Sequence, residues 1–538
     1  MKRSAAAIAA ALHWNGTKSK KTKVESEVVS VPSDESVTEI SSDELLTLLK
    51  NEPTPLKNEP TSAIKLFYNP SYELHDSLSK HASEYNQDTV TLNELIGIKD
   101  LDETFQFNFS IDIPFFLTHM HPEFVKRKRK ITFITGRQQL SVFDEELQNL
   151  LSIFNLNEII ADLPDRFGTH HTKMMINFFE NQLCEVVIMT CNITKLDIGG
   201  LTQMCWRSGR LALGTTKPDS MGYRFQRDLT DYLRRYKKKK LSELANRIME
   251  YDFSSINVEL VASAPGYFDM DDITTNSEVY GFGKLYQVLK RNKLLIKDTS
   301  KHHNVLSQVS SIAYPVVSEK FHTSSIFTHI LCPLIFDDPH EFSMLSPGRE
   351  TTRNHQKLYN YTPTIVYPTA QEVSQANVGF GAGASIHFNY TRSHAHENQY
   401  KQNILPYLHK WSSKADTAGR NHVPPHVKLY LCDNGDEWKS IKWALLCSHN
   451  LSKQAWGAPK SKNGRKYHVA SYELGVLVPG TPHTLTPMYL HDHLKNSLAP
   501  LRLPFKVPPE PYGDSDQPWS PHMNFGELKD RFGNTYQP

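Results

Sequence analysis

Two short stretches of the chain carry the same three chemical groups in the same order. In the first, His171 and Lys173 stand two residues apart, the apolar run Glu185–Thr190 follows, and Asn192 comes just after it. In the second, His426 and Lys428 precede the apolar run Trp443–Cys447, and Asn450 stands beyond that. His and Asn are 21 residues apart in one copy and 24 in the other. An imidazole, an ammonium and a carboxamide brought to one point make half of a site for a phosphodiester. Two lysines and two asparagines would hold the charged oxygens while charge shifts in the transition state. One imidazole can attack phosphorus and form a phosphohistidine. The other can protonate the leaving oxygen and then deprotonate the water that hydrolyses the intermediate, since its reference pKa is ~6.5. The lysines bring the positive charge, so this reading takes no metal and no other cofactor.

These groups need strands to position them. If His-x-Lys lies on a strand, His and Lys project from one face, and the next strand brings its Asn alongside. His170 would then face the opposite way, as a structural imidazole. A lone His-x-Lys means little among 25 His and 60 Lys plus Arg. Two copies, each with a strand and an Asn, are far harder to obtain by accident.

The surrounding sequence supplies such elements. Ile131–Thr135, Glu185–Thr190, Val258–Ala264 and Trp443–Cys447 are short, apolar and β-rich, and read as strands. Asp144–Ile153 reads as an amphipathic helix and Asp228–Glu250 as one long basic helix. Strands interleaved with helices imply an α/β protein. The repeat makes it two similar α-β-α sandwich halves with mixed sheets, related by a pseudo-two-fold. The boundaries fall at a disordered tail over 1–75, a first half over 76–255 and a second over 256–538, with globular character starting near Thr89.

The tail from about Gly16 to Glu59 is rich in Ser, Thr, Glu, Lys and Pro and poor in aromatics, too little apolar surface to order itself. Within it, Lys18–Lys23 reads equally as a nuclear localisation signal or a solvated tail. Glu44–Lys50 is a transiently helical or partner-binding piece. The Ala-rich start after Lys2 and Arg3 is short and weakly apolar for a secretory signal, and leaves a mitochondrial presequence open.

Composition narrows the class further. With 60 basic and 58 acidic residues, the net charge is +2, so any nucleic-acid affinity is local. Lys126–Lys130 and Arg234–Lys240 are basic runs that would suit phosphates; taken singly, each reads better as solvated surface. The six cysteines form no CxxC pair, which argues against a zinc ribbon or a disulfide scaffold and fits a reducing compartment. No apolar stretch is long enough for a spanning helix.

Further segments carry a resemblance: Phe167–Met175 around the first His, Asn450–Gly457, Ser471–Val476, and near the end Pro511-Tyr512-Gly513, Gln517-Pro518-Trp519 and Gly533-Asn534. From about residue 89 onward the chain resembles the phospholipase D superfamily and, within it, the tyrosyl-DNA phosphodiesterases. The superfamily pattern has Asp five residues after the Lys. Phe178 stands there in the first copy. Asp433 would match in the second but reads as part of an Asp433-Asn434-Gly435-Asp436 turn. Asn192 and Asn450 after the second strand fit the tyrosyl-DNA branch.

The resemblance implies roles. His171 attacks a 3′-phosphate and His426 protonates the tyrosine; Lys173, Lys428, Asn192 and Asn450 hold the phosphate oxygens. Gln203 and Glu473 fall at the family's His-orienting positions, though which His each serves is not legible. Taken without the family they read as a surface amide and a salt-bridge carboxylate. Phe167, Ser310, Ser311 and Ser452 match positions that contact the DNA strand; Phe167 suits base stacking or core packing equally. Phe109 and Tyr314 depart from the residues expected there.

The leading reading is a monomeric, nuclear DNA-repair phosphodiesterase, with no membrane attachment. It would remove tyrosine or a topoisomerase I remnant, or other adducts, from DNA 3′ and perhaps 5′ ends. The alternatives are a phospholipase D-type lipid hydrolase and a non-catalytic nucleic-acid-binding module.

Overall fold

The computed structural model describes residues 62–538 except 75–78, 141–142, 144–147, 150, 276, 314–315, 318–322, 338–348, 460–465, 482, 491 and 493–498. The Ala-rich start, the Lys18–Lys23 run, the Glu44–Lys50 segment, Tyr314 and much of the expected helix at 144–153 lie outside the described residues.

Two nine-stranded sheets form the body. The first holds β1 (Ile64–Phe67), β2 (Thr89–Val90), β3 (Leu101–Phe107), β4 (Lys130–Thr135), β5 (Asn155–Ile160), β6 (Met174–Phe179), β7 (Leu183–Met189), β8 (Met204–Arg207) and β9 (Leu211–Ala212). Their order is β2-β1-β8-β7-β6-β3-β4-β5, with β9 on β7. The second sheet holds β10 (Glu259–Ser263), β11 (His303–Gln308), β12 (Tyr361–Val366), β13 (Leu408–His409), β14 (Leu429–Asp433), β15 (Ile441–Cys447), β16 (Glu473–Pro479), β17 (Leu485–Met488) and β18 (Ala499–Arg502). Their order is β10-β16-β15-β14-β11-β12-β13, with β17 beside β15 and β18.

The repeat seen in sequence is a repeat of topology. In the first sheet β8, β7, β6 and β3 run antiparallel in turn, then β3, β4 and β5 are parallel. In the second, β16, β15, β14 and β11 run antiparallel in turn, then β11, β12 and β13 are parallel. Chain order and direction match strand for strand. The hairpin β6–β7 therefore corresponds to β14–β15, and each carries a His-x-Lys at its entry and an Asn just past its exit.

Core strands are apolar on both faces because both are covered. In β6, Met174, Ile176 and Phe178 join one buried cluster while Met175 and Phe179 join another. The first cluster runs on through α2 (Met221–Arg235) and α3 (Lys239–Ile248) into the strands of the second sheet. The helix α1 (Lys195–Gly200) follows β7 and is short.

Three expectations are corrected. Residues 64–74, assigned to the tail, already build the first sheet: Ile64, Leu66 and Phe67 are buried in β1 between β2 and β8. The tail's polar composition stops near residue 61, and the four-residue strand is too short to stand out against it. The single basic helix is two, because Lys237 takes a positive φ of 55° and turns the chain between α2 and α3. The His-x-Lys motifs sit just before β6 and β14 rather than within them.

Both basic runs lie among acidic neighbours. Lys126, Arg127, Arg129 and Lys130 face Glu123, Glu180, Asp102 and Glu103. Arg234, Lys238 and Lys239 face Asp231, Asp162 and Glu243.

Gly475 in β16 lies opposite Cys447 in β15, and a Cβ there would stand 2.3 Å from the Cys447 Cβ. Both positions are fully enclosed by sheet, so neither strand can retreat. Gly475→Ala is expected to lower stability by about 1–3 kcal/mol, read as a reduced urea midpoint with unchanged slope.

Candidate active site

The two motifs are held by the opposite halves. The His171 N–H donates to the Tyr472 carbonyl at 2.8 Å, and the Tyr472 N–H donates to the Thr169 carbonyl at 2.9 Å. In the mirror arrangement, the N–H groups of His426 and Val427 both donate to the Thr202 carbonyl at 3.0 Å, and the Thr202 N–H donates to the Pro424 carbonyl at 2.9 Å. Tyr472 and Thr202 precede equivalent strands, β16 and β8. The residues next to them, Glu473 and Gln203, carry side chains into the facing site. Glu473 Oε2 lies 2.8 Å from His171 Nδ1, and Gln203 Nε2 lies 3.1 Å from His426 Nδ1. The pairing that sequence left open is thereby settled: each His is oriented by the half it does not belong to.

The lysines are fixed alike. Each Lys carbonyl receives a backbone N–H from the second strand of its hairpin, Met189 to Lys173 and Cys447 to Lys428, both at 3.1 Å. Each ammonium donates to the carbonyl of its own motif's His: Lys173 Nζ to His171 O at 3.0 Å, and Lys428 Nζ to His426 O. The asparagines precede short helices. Asn192-Ile193-Thr194 and Asn450-Leu451-Ser452 place a hydroxyl at the N-cap, where it accepts from Asp197 N at 3.2 Å and Ala455 N at 3.1 Å. Asn450 Oδ1 accepts the N–H groups of Ser310 at 3.2 Å and Ser311 at 2.9 Å, which leaves its NH2 to donate elsewhere. Asn192 Oδ1 is buried with no hydrogen-bond partner among the described residues.

Electrostatics show that the two sets converge. Burial holds Lys173 down to about 8, against the pull of Glu473 and Asp197. Burial and then the charge of Lys173 hold Lys428 well below the ordinary lysine range. Burial, then Lys428, Lys173 and His171, hold His426 well below an ordinary histidine. Burial raises the Glu473 carboxyl to about 6, although His449 and Lys173 oppose it. The centre is a largely buried cluster of basic groups, and an arriving phosphodiester would relieve their mutual repulsion.

The remaining expected residues divide. Phe167 is 60% exposed with the Arg166 guanidinium 4.4 Å from its ring centroid, so it is a surface aromatic and not core. Ser310 is buried and, with Ser311, reaches the site by holding Asn450 through backbone N–H groups. Ser452 spends its hydroxyl as the helix cap. His170 is buried between the Asn108 carbonyl at 3.1 Å and the Tyr236 hydroxyl at 2.9 Å, away from the chemistry, and burial lowers it to about 3. Phe109 sets its ring edge against His171 at 5.4 Å. Asp433 ends β14; burial pushes its carboxyl up, but the neighbouring His303 at 3.7 Å and hydrogen bonds from Asn304 and Gly435 hold it below the usual range. It serves the sheet rather than the site.

Sequence reasoning missed Asp197, Thr190, Ser385 and Ser448. Ser448 donates to Glu473 Oε2 at 2.5 Å, and Thr190 donates to Gln203 Oε1 at 2.7 Å. Asp197 Oδ2 accepts the Asn192 N–H at 2.9 Å and lies 3.3 Å from His426 Nδ1. Its Oδ1 accepts the Ser385 hydroxyl at 2.9 Å. Asp197 follows Asn192 by five residues, a local signal that only the tertiary contact makes meaningful.

Two sheets of matching topology, each contributing one His, one Lys and one Asn to a shared centre, define a phospholipase D-like phosphodiesterase fold. The same fold is found in the crystal structure of yeast tyrosyl-DNA phosphodiesterase, at a TM-score of 0.65 and 23% identity over 85% of this chain and 99% of that one. The family profile described as tyrosyl-DNA phosphodiesterase matches residues 72–513, and the chain belongs to that family. A probable tyrosyl-DNA phosphodiesterase of Schizosaccharomyces pombe is 27% identical over 534 residues, covering 84% of this chain and 93% of that protein. Tyrosyl-DNA phosphodiesterase 1 of Saccharomyces cerevisiae is 26% identical over 446 residues, covering 77% and 75%.

The carboxyl of Glu473 must be ionised to accept the His171 Nδ1 proton, so kcat/KM is expected to fall as pH drops through about 6. Lys173 loses its charge as pH rises through about 8, so kcat/KM is expected to fall there too. The pH profile of Glu473→Gln should lack the acid limb, at a plateau ~10²-fold lower. Persistence of that limb would assign it to another group.

Proposed function

We propose that the protein is a DNA-repair phosphodiesterase that hydrolyses the bond between a DNA 3′-phosphate and tyrosine, as left by topoisomerase I, and other 3′ adducts. The observation that carries this is the unequal treatment of two equivalent histidines. Nδ1 of His171 donates its proton in a hydrogen bond to Glu473, which makes Nε2 the unprotonated ring nitrogen. That is the form a nucleophile needs. His426 has different partners, as suits the acid and base.

The reaction then runs in two steps. Nε2 of His171 bonds to phosphorus as the tyrosine oxygen departs, taking a proton from Nε2 of His426. Water then gives a proton to His426 and its oxygen to phosphorus, the P–N bond breaks, and a 3′-phosphate is released. Lys173, Lys428, Asn192 and Asn450 hold the non-bridging oxygens throughout, and the lysines take the place a metal would otherwise fill. The exposed ring of Phe167, four residues before His171, offers a stacking surface to a base of a single strand. Action in the nucleus is the part of this proposal supported by the Lys18–Lys23 run alone.

The test is a gel assay with a single-stranded oligonucleotide bearing 3′-phosphotyrosine, in EDTA. Wild type should yield a 3′-phosphate end. His171→Ala should lose activity by roughly 10³-fold or more and form no adduct. His426→Ala should slow ~10²–10⁴-fold and accumulate an acid-labile protein–DNA adduct. Turnover of phosphatidylcholine with no cleavage of the oligonucleotide would favour a lipid substrate instead.

A further inference from the structure

The acid–base cycle assigned to His426 works at Nε2: imidazolium gives that proton to the leaving oxygen, then regains one from water. In both states Nδ1 keeps its own proton. An acceptor must therefore face Nδ1 at every stage. Gln203 is not that acceptor. Its Oε1 is taken by the Thr190 hydroxyl at 2.7 Å, and its Nε2 donates to the Asp197 carbonyl at 3.2 Å. With those two contacts made, the amide has no oxygen left to accept the Nδ1 proton.

The group that can accept is Asp197, whose Oδ2 stands 3.3 Å from Nδ1. Asp197 is 1% exposed, and burial raises its carboxyl, while hydrogen bonds from the Asn192 N–H and the Ser385 hydroxyl and the charges of Lys428 and Lys173 oppose that shift and favour the carboxylate. The repeat makes the point sharper. Asp197 is the third residue of the helix after Asn192; the equivalent residue after Asn450 is Ala455. His171 has a carboxylate from the start of β16, and His426 has an amide from the residue just before β8. Each imidazole thus has one carboxylate, delivered from a different element.

We propose that Asp197 is the positioning residue that keeps the proton on Nδ1 of His426 and so lets that histidine act as acid and base. This rests on the acid–base role given to His426 above. The same carboxylate holds the Asn192 backbone, so it couples the acid–base group to one of the phosphate ligands.

The experiment compares phenyl and p-nitrophenyl esters of thymidine 3′-phosphate, beside the tyrosyl oligonucleotide. A phenol of pKa ~10, like tyrosine, needs a proton to leave; p-nitrophenol does not. In Asp197→Asn, cleavage of the phenyl ester should slow ~10²-fold. The p-nitrophenyl ester should still give a burst of one equivalent at nearly the wild-type rate, followed by slow turnover as the adduct persists. Adding Gln203→Glu, which puts a carboxylate on Nδ1, should restore phenyl ester cleavage to within ~10-fold of wild type. The rescue also serves if the single variant folds poorly, since the double variant then carries the comparison. Equal loss on both esters, including the burst, with no rescue, would overturn the proposal, as would wild-type rates in Asp197→Asn. Wild-type activity on the two synthetic esters but not on the tyrosyl oligonucleotide would overturn the substrate proposed above and leave Asp197 tested on the esters.

Discussion

The exchange of backbone between the two halves is the constraint on which the rest depends. The chain at Thr169–His171 lies against Tyr472, and the chain at Pro424–Val427 lies against Thr202. Those contacts do more than join two sheets. They set each His one residue away from the strand end that carries its orienting side chain. Because Tyr472 and Glu473 are adjacent, as are Thr202 and Gln203, a shift in the packing of the halves would misplace the imidazoles and their partners together. Neither half contains a complete pair of His and partner. The site exists only where the two halves meet.

That meeting point carries a cost in charge. Two lysines and two histidines are withdrawn from water and brought within reach of one another's fields. Isolated cations in such a place are unfavourable. Two buried carboxylates, Glu473 and Asp197, and the carbonyls of His171 and His426 offset part of the repulsion. The remainder is what a phosphodiester can satisfy. Strain of this kind concentrates at working sites because the substrate, rather than the fold, completes the interaction.

A duplicated fold gives two equal imidazoles, and the chemistry needs two unequal ones. The inequality is supplied by few positions. Glu473 and Gln203 stand at equivalent strand ends, and one brings a carboxylate to its imidazole while the other brings an amide. Asp197 and Ala455 stand at equivalent helix positions, and only one has a carboxylate. The scaffold repeats and the second tier of side chains does not, so one topology surrounds its two imidazoles differently.

Much of this was legible without coordinates. The His-x-Lys and Asn pairs, the hairpins between them and the α/β character follow from local spacing, because a strand's period and an apolar run are properties of neighbouring residues. His170 is buried beside His171 as expected, although the motif precedes its strand and does not lie on it. Other features had no local signal. The strand at Ile64–Phe67 takes its order from β2 and β8, which arrive later in the chain. The break between α2 and α3 turns on one residue's φ. Phe167 reads equally as core or surface until its neighbours are known. The sequence by itself determined which groups form the repeated set, since their types and spacing are written twice in it. Only the tertiary structure decided which His takes which partner and that Asp197 belongs to the site, because contacts across 229 residues, from Asp197 to His426, or 302, from His171 to Glu473, are fixed by the packing of the halves and not by any local preference.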